Sequence, residues 1–503
     1  MTRRNWISAL LFLILTVPAI TQEKPGASDE KKPVPEERAV TTEHQVTIDG
    51  STIRYQATAG TYILEEEDGT PKAEIFYIAY HRLGVSDSTR RPLTFSYNGG
   101  PGSSSVWLHL GVLGPRRVDM GEEGNAPRPP YRVTPNPYSL LDVTDIVFID
   151  PVMTGYSRPV AGEDKSQFTG LREDVRAVGE FIRLYVNRNE RWGSPKFLIG
   201  ESYGTTRSAA LSNWLQERHG MYLNGVMLIS SILDFQTARF DVGNDLPYIL
   251  FLPTYTATAW YHGQLESSLQ QMELRDLLTE VETFALNDYT LALMQGNDLP
   301  EERKRDIANR LAHYTGLSSQ YVLDTNLRIQ IHRFTKELRR SERITVGRLD
   351  SRFTGTDYDA AGESYEYDPS YAEILGPYSG ALKHYLTSEL GFQTQVPYEI
   401  LTGRVRPWSY EEFEGRYVNV ADELRQAMTR NPDLQVFVAN GYYDLATPYF
   451  ATEYTFDHLS FDPGFEERIR MEYYESGHMM YIHQPSLLQL RKDLVDFVRQ
   501  ATQ

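Results

Sequence analysis

Cysteine is absent from this 503-residue chain, and that absence removes several chemistries at once. There is no thiol nucleophile, no Cys-ligated zinc, no disulfide framework and no lipid-modified N-terminal cysteine. Positive charge is also in short supply: 50 Lys and Arg face 68 Asp and Glu, for a net charge of −18. A nucleic-acid binder needs a basic face to displace counterions, so no nucleic-acid partner is expected. The apolar run in "MTRRNWISALLFLILTVPAITQ" follows Arg3 and Arg4. It falls short of the roughly 20 apolar residues that span a bilayer. Residues 1–21 therefore read as a signal peptide, with small residues Ala19 and Thr21 as cleavage points; an uncleaved anchor is the alternative. No stable membrane span is expected once the signal is removed. An exported protein of this size without disulfides suits a bacterial periplasm or exterior, so a secreted or periplasmic location is expected.

What is present is globular material, 41% hydrophobic with 12% aromatics, which excludes a disordered or collagen-like chain. Residues 22–42 are charged and Pro-containing with little to bury, and read as a disordered linker. From His44 the pattern becomes β, with hairpins expected across Asp49-Gly50 and around Asp68-Gly69. Short apolar runs at 92–98, 145–150, 196–202, 226–231 and 435–441 suit buried parallel strands. Leu171, Val175, Val178, Ile182 and Tyr185 recur at helical spacing, and a closing helix is expected with Ser486 as its cap. Strands alternating with helices indicate an α/β fold, with 43–239 and 432–503 as the two parts of its core. The interval 240–431 breaks the rhythm. It is helical in places, Tyr-rich and without an obvious buried strand, and reads as an insertion, or cap, over one end of the sheet.

Gly200-Glu201-Ser202-Tyr203-Gly204 fits the G-x-S-x-G nucleophile elbow. Its glycines permit a sharp strand-to-helix turn that exposes the serine hydroxyl. The bare pattern is weak, but "KFLI" supplies a strand before it and "TTRSAALSNWLQER" a helix after it. Gly362-Glu363-Ser364-Tyr365 repeats the first four residues and has neither a preceding strand nor the second glycine. Asp357, Asp359, Gly362 and Asp368 there fall at EF-hand-like offsets. Ala361 and the Asp at the twelfth position break that motif, so the stretch reads as a solvated acidic loop.

A hydroxyl nucleophile needs a base, an orienting carboxylate and donors for the oxyanion. In α/β-hydrolases the chain order is Ser, then Asp or Glu, then His. "VFVANGYYDLATP" delivers Asp444 into the loop after a buried strand, and "YYESGHMMYIHQPS" presents His478 before the last helix. His483 reads as structural or surface, and His109 as a packed core histidine. "SYNGGPGSSS" (96–105) supplies unobstructed backbone N–H groups. It lacks the Lys-Ser/Thr and the glycine spacing of a phosphate loop. The second oxyanion donor is the backbone N–H of Tyr203.

"NGGPGSSS", "FIDPVMTGYS", "GESYG", "NGYYD" and "SGHM", in this order between about Leu93 and Pro485, resemble the serine carboxypeptidases. These are α/β-hydrolases that remove C-terminal amino acids. The resemblance implies an α/β-hydrolase fold, with a mostly parallel sheet and helices on both faces. It assigns nucleophile, acid and base to Ser202, Asp444 and His478, and the oxyanion hole to Gly100 and Tyr203. Recognition of the substrate's terminal carboxylate falls to Asn98, Gly99 and Glu201. A carboxyl beside a carboxylate favours its protonated form, so Glu201 is expected to have a raised pKa and peptidase activity to be best at mildly acidic pH. The chain departs from the family at Ser103, where a cysteine is usual, at Thr447-Pro448, where Cys-Asn is usual, and at Val112, where a second acidic residue is usual.

The resulting expectation is a secreted serine carboxypeptidase acting on peptides through an acyl-enzyme, with no cofactor and no metal. An esterase or acyltransferase using the same three residues is the alternative. A binding protein on a degenerate hydrolase fold stands third, since such proteins lack a member of the triad.

Overall fold

The structure, a computed structural model, describes residues 35–459 and 462–503. The expected signal peptide and most of the expected linker lie outside the described residues. Strands β1 (Ala39–Ile48) and β2 (Ser51–Glu65) form the first hairpin. Asp49 and Gly50 both have positive φ, 47° and 75°, which is why an Asp-Gly pair turns this hairpin. The chain is ordered earlier than its composition suggests. Ala39 pairs with Gly60, and the Glu37 carboxylate accepts the Ile63 N–H and pairs with Arg188. The linker expectation thus fails for residues 35–42. An edge strand is held by its backbone ladder, and most of its side chains need not be apolar.

Strand β3 (Pro71–Arg82) completes an antiparallel meander. The rest of the sheet is β4 (Leu93–Tyr97), β5 (Asp145–Ile149), β6 (Lys196–Glu201), β7 (Gly225–Ile229), β8 (Gln435–Gly441) and β9 (Ile469–Tyr474). Its order is β1-β2-β3-β5-β4-β6-β7-β8-β9, with a two-residue strand at Arg158–Pro159 added to β3. β3 meets β5 antiparallel, and from β5 to β9 all pairs are parallel. This is the mostly parallel sheet of an α/β-hydrolase fold. The chain leaves β4 toward β5 on one side and returns to place β6 on the other. The carboxyl ends of β4 and β6 therefore flank a topological switch point, where such sheets open a crevice for ligands.

Helices α1 (Leu171–Arg188) and α2 (Tyr203–His219) cover one face. In the interval 240–431 lie α3 (Leu246–Tyr261), α4 (Leu274–Phe284), α5 (Glu301–Thr315), α6 (Pro369–Ser388) and α7 (Ala421–Arg430). Packing divides this interval into three parts. Helices α3 to α5 form an apolar cluster of their own, which also takes in Tyr443–Ala451 after β8. Helix α6 packs on the opposite face of the sheet, through Tyr378, Leu382 and Tyr385. Helix α7 joins α1 and α2 through Leu424, Ala427 and Met428. A two-residue ladder, Thr345–Val346 with Thr354–Gly355, lies between α5 and α6. The closing helix α8 (Gln484–Gln500) buries Leu487, Leu490 and Leu494 against the face that α6 covers. Its cap position is His483, not Ser486. Pro485 fits the first turn, and the Ser486 hydroxyl bonds His483 Nδ1 at 2.8 Å.

Candidate active site

The turn from β6 to α2 places Ser202 at φ 60°, ψ −129°, a region that non-glycine residues rarely occupy. Its N–H donates to Ile229 O at 3.0 Å, and its carbonyl accepts from Thr205 N at 2.8 Å. A Cβ at Gly200 would stand 2.2 Å from Gly204 O, so the elbow closes only because residue 200 has none. The loop after β4 approaches equally closely, since a Cβ at Gly99 would lie 2.4 Å from Tyr203 N. This contact brings Gly99 against the first amide of α2, with Gly100 next to it in the loop. The first N–H groups of a helix have no intrahelical acceptor. Gly99, Gly100, Glu201, Ser202, Tyr203 and His478 all line one cavity of about 410 Å³.

His478 is buried, and its Nδ1 lies 2.6 Å from Asp444 Oδ2. Asp444 is fully buried and collects three further donors: Thr447 Oγ1 at 2.7 Å, Ala446 N at 2.7 Å and Thr447 N at 3.0 Å. Burial opposes the positive charge on His478, but the Asp444 carboxylate beside it outweighs burial and raises the imidazole pKa. The departures from the family's cysteines leave no gap here. Thr447 serves Asp444, and the Ser103 hydroxyl accepts from Trp107 Nε1 at 2.9 Å.

Glu201 is 3% exposed. Its Oε1 accepts from Asn98 Nδ2 at 3.0 Å, and the Tyr481 hydroxyl bonds Oε2. Burial pushes its pKa up to about 7, against the pull of His478, Tyr481 and Asn98 toward ionisation. The residue is thus poised between carboxyl and carboxylate with no substrate present. Asn98 is fully buried behind Glu201, and its Oδ1 accepts from Leu108 N at 3.2 Å. Its side chain therefore fixes Glu201 through Nδ2. Val112, at the position where the family usually carries a second acid, is completely buried among apolar side chains.

Two features escaped the sequence. Tyr481 follows His478 by three residues and lies in the 3₁₀ segment at Met480–Ile482. That spacing was the available clue to its role. The other is the segment 348–352, which ties the two distant loops together. Arg348 O accepts from Leu445 N at 3.0 Å, and Leu349 O accepts from His478 N at 2.7 Å. Asp350 Oδ2 accepts from Gly477 N at 3.0 Å, and Arg352 bonds both Asp350 and Ser476. No motif marks this segment, because its contacts are divided between backbone carbonyls and side chains whose partners are distant in sequence.

The remaining candidates are occupied elsewhere. His109 is buried, bonds the Tyr80 hydroxyl at 2.7 Å and has its pKa lowered to about 3 by burial. Ser364 is exposed. Asp357 pairs with Lys336 at 2.5 Å, and Asp368 caps α6 by accepting from Ser370 N at 3.0 Å. Among the described residues no group of three or more His, Asp or Glu side chains could hold a metal ion.

The family model described as serine carboxypeptidase matches residues 53–482. Carboxypeptidase Y homolog A of Arthroderma otae is 27% identical over 139 residues, which is 27% of this chain and 23% of that protein. Serine carboxypeptidase-like 37 of Arabidopsis thaliana is 25% identical over 189 residues, 35% of this chain and 37% of that protein. The matched stretches thus span only about a quarter to somewhat over a third of these relatives. Among solved structures, Kex1(delta)p, a prohormone-processing carboxypeptidase from Saccharomyces cerevisiae, superposes with a TM-score of 0.55 at 18% identity. That superposition covers 88% of this chain and 91% of the other.

Proposed function

The chain belongs to the serine carboxypeptidase family, and from that premise we propose that it removes C-terminal amino acids from peptides through an acyl-enzyme on Ser202. Ser202 Oγ attacks the scissile carbonyl while His478 takes its proton, and Asp444 holds the imidazole in the productive tautomer. The amides of Gly100 and Tyr203 receive the oxyanion. Collapse of the tetrahedral species breaks the C–N bond, and His478 returns the proton to the departing amine. Water then attacks the ester by the same route, releasing the shortened peptide. Gly99 and Glu201 hold the substrate's terminal carboxylate, with Asn98 and Tyr481 fixing Glu201. Residues 1–21 would export the protein, and the cluster of α3 to α5 would act as the cap.

The observation that carries this reading is Glu201. A buried carboxyl with a pKa raised to about 7 in the wall beside the nucleophile serves an exopeptidase that must grip a carboxylate. The direct test is mass spectrometry of peptide digests over time. Residues should disappear one at a time from C-termini, and cleavage at internal bonds or from N-termini would sink the proposal. The esterase or acyltransferase reading draws support from buried Val112, which leaves one carboxyl where the family usually carries two. A blocked dipeptide compared with its C-terminal amide separates the two, because only a carboxypeptidase strongly prefers the free acid.

The pH dependence follows with a definite sign. Below about pH 7 Glu201 is neutral and can donate a hydrogen bond to the substrate carboxylate. Above it the residue ionises and repels that carboxylate. The KM for free-acid peptides should therefore rise about tenfold from pH 6 to pH 8, as the competent fraction falls. Glu201→Gln keeps a donor at every pH, and its KM should stay flat over the same range. Parallel KM profiles for the two proteins would rule out this role.

A further inference from the structure

The charged side chains that line the cavity are mostly basic, in an acidic protein. They are Glu201, His478, Arg348 and Arg406, although the chain as a whole carries a net charge of −18. Below neutral pH Glu201 loses its charge, and the two guanidinium groups then dominate. Arg348 is half-buried. Among the described residues its guanidinium makes no ion pair and no hydrogen bond, while its backbone is fixed at both ends. Its N–H donates to Asp368 Oδ1 at 3.1 Å, and its carbonyl accepts from Leu445 at 3.0 Å. Asp368 keeps its charge nearby, but its carboxylate accepts from the amides of Arg348, Leu349 and Ser370 and, among the described residues, makes no ion pair with the guanidinium. A partly desolvated arginine on a rigid segment, open to a cavity and without a partner, is a binding site for a carboxylate.

We propose that Arg348 receives the side-chain carboxylate of the residue being released, making this enzyme selective for peptides that end in glutamate or aspartate. The inference rests on the carboxypeptidase reading above and names its substrate class. Position sets the subsite. Leu349 O holds the His478 amide and Met479 follows His478 in the chain. Arg348 therefore lies beside the His478–Met479 loop in the cavity wall, where the released residue is seated in this proposal. Leu349, Tyr371, Ile374 and Met479 give this region of the cavity apolar surface, which suits the methylene stem of an acidic side chain. The terminal carboxylate remains with Gly99 and Glu201, so the two carboxylates of one residue are held by separate groups. Arg406 is exposed at the cavity edge and adds long-range attraction for acidic peptides.

The test compares kcat/KM for N-acyl-Phe-Glu, N-acyl-Phe-Gln and N-acyl-Phe-Leu at pH 6. Glu and Gln share one shape and differ in charge, so their ratio isolates the arginine's contribution. The wild type should favour Glu over Gln by about 10- to 30-fold, the range of a charged hydrogen bond in a half-buried site. In Arg348→Met the ratio should fall to about one, and in Arg348→Glu it should invert. Arg348→Lys preserves the charge and should keep a ratio above one, which separates loss of charge from damage to the segment. A wild-type ratio near one, with the Leu peptide cleaved, would overturn this inference and leave the carboxypeptidase intact. A ratio that survives in Arg348→Met would do the same. Equal losses on all three peptides would move Arg348 to the terminal carboxylate and also overturn the proposal. If no peptide is hydrolysed by the wild type, the inference falls together with the reading beneath it.

Discussion

Ser202→Ala should lower kcat for peptide hydrolysis by about a million-fold, while peptides bind with near wild-type affinity. The substitution removes the reacting oxygen and little else. The elbow is held by backbone atoms, through Ser202 N to Ile229 O at 3.0 Å and Thr205 N to Ser202 O at 2.8 Å. Alanine keeps both bonds. Serine and alanine also meet the same steric cost at φ 60°, so Tm should change by no more than about 2 °C. Binding is preserved because Gly99, Glu201 and the cavity wall do not depend on the hydroxyl. Three measurements check this: single-turnover hydrolysis, peptide affinity by calorimetry, and labelling by a fluorophosphonate, which should be lost. Retention of more than about one hundredth of the rate would move the nucleophile elsewhere, because no positioned group can replace an attacking oxygen so cheaply.

How far this site was legible in the chain differs from residue to residue, for physical reasons. Ser202 could be read because its elbow needs a strand, a helix and two small residues in fixed order, all local in sequence. The buried strands β4 to β8 were legible as short apolar runs, since a parallel strand covered on both faces has little room for polar side chains. Strand β9, "IRMEYY", was missed because five of its six residues are only half-buried. The first residues of β1 were missed for a similar reason. The Asp444–His478 pair could be inferred from chain order together with the strand and loop that carry each residue, although 34 positions separate the two. Arg348 to Arg352 were invisible. They bridge two loops partly through the backbone carbonyls of Arg348 and Leu349, which leave no trace in residue type, and partly through Asp350 and Arg352, whose partners lie far away in sequence. Asn98 was legible as a residue, but its burial behind Glu201 depends on packing that no motif encodes. Glu201 was expected to have a raised pKa because of a bound carboxylate. Its burial supplies that shift before any ligand arrives.

Asp444→Asn should cost about ten thousand-fold in kcat, less than loss of the nucleophile, and should destabilise the fold more. The Asp444 carboxylate accepts from four donors, and Oδ2 alone faces both His478 Nδ1 at 2.6 Å and Thr447 Oγ1 at 2.7 Å. An asparagine offers one acceptor oxygen and one donor NH₂. If the oxygen turns toward Ala446 and Thr447 N–H, the NH₂ faces His478 Nδ1 and drives the imidazole into the tautomer with its proton on Nε2. A protonated Nε2 cannot take the serine proton. If the oxygen turns toward His478, the amide groups of residues 446 and 447 lose their acceptor in a fully buried site, costing about 1–3 kcal/mol of stability. The imidazole pKa gives an independent readout. Burial lowers it and the Asp444 charge raises it, so in Asp444→Asn burial acts with less opposition and the pKa should drop. NMR titration of His478 in the two proteins measures that shift, and the acid limb of the residual activity should move to lower pH with it. The pair of variants then separates the two roles. Ser202→Ala leaves the His478 titration near its wild-type position and abolishes chemistry, whereas Asp444→Asn shifts the titration and leaves a trace of chemistry. A loss below about tenfold in Asp444→Asn would mean that the imidazole finds its tautomer without this carboxylate, and the assigned acid would be wrong.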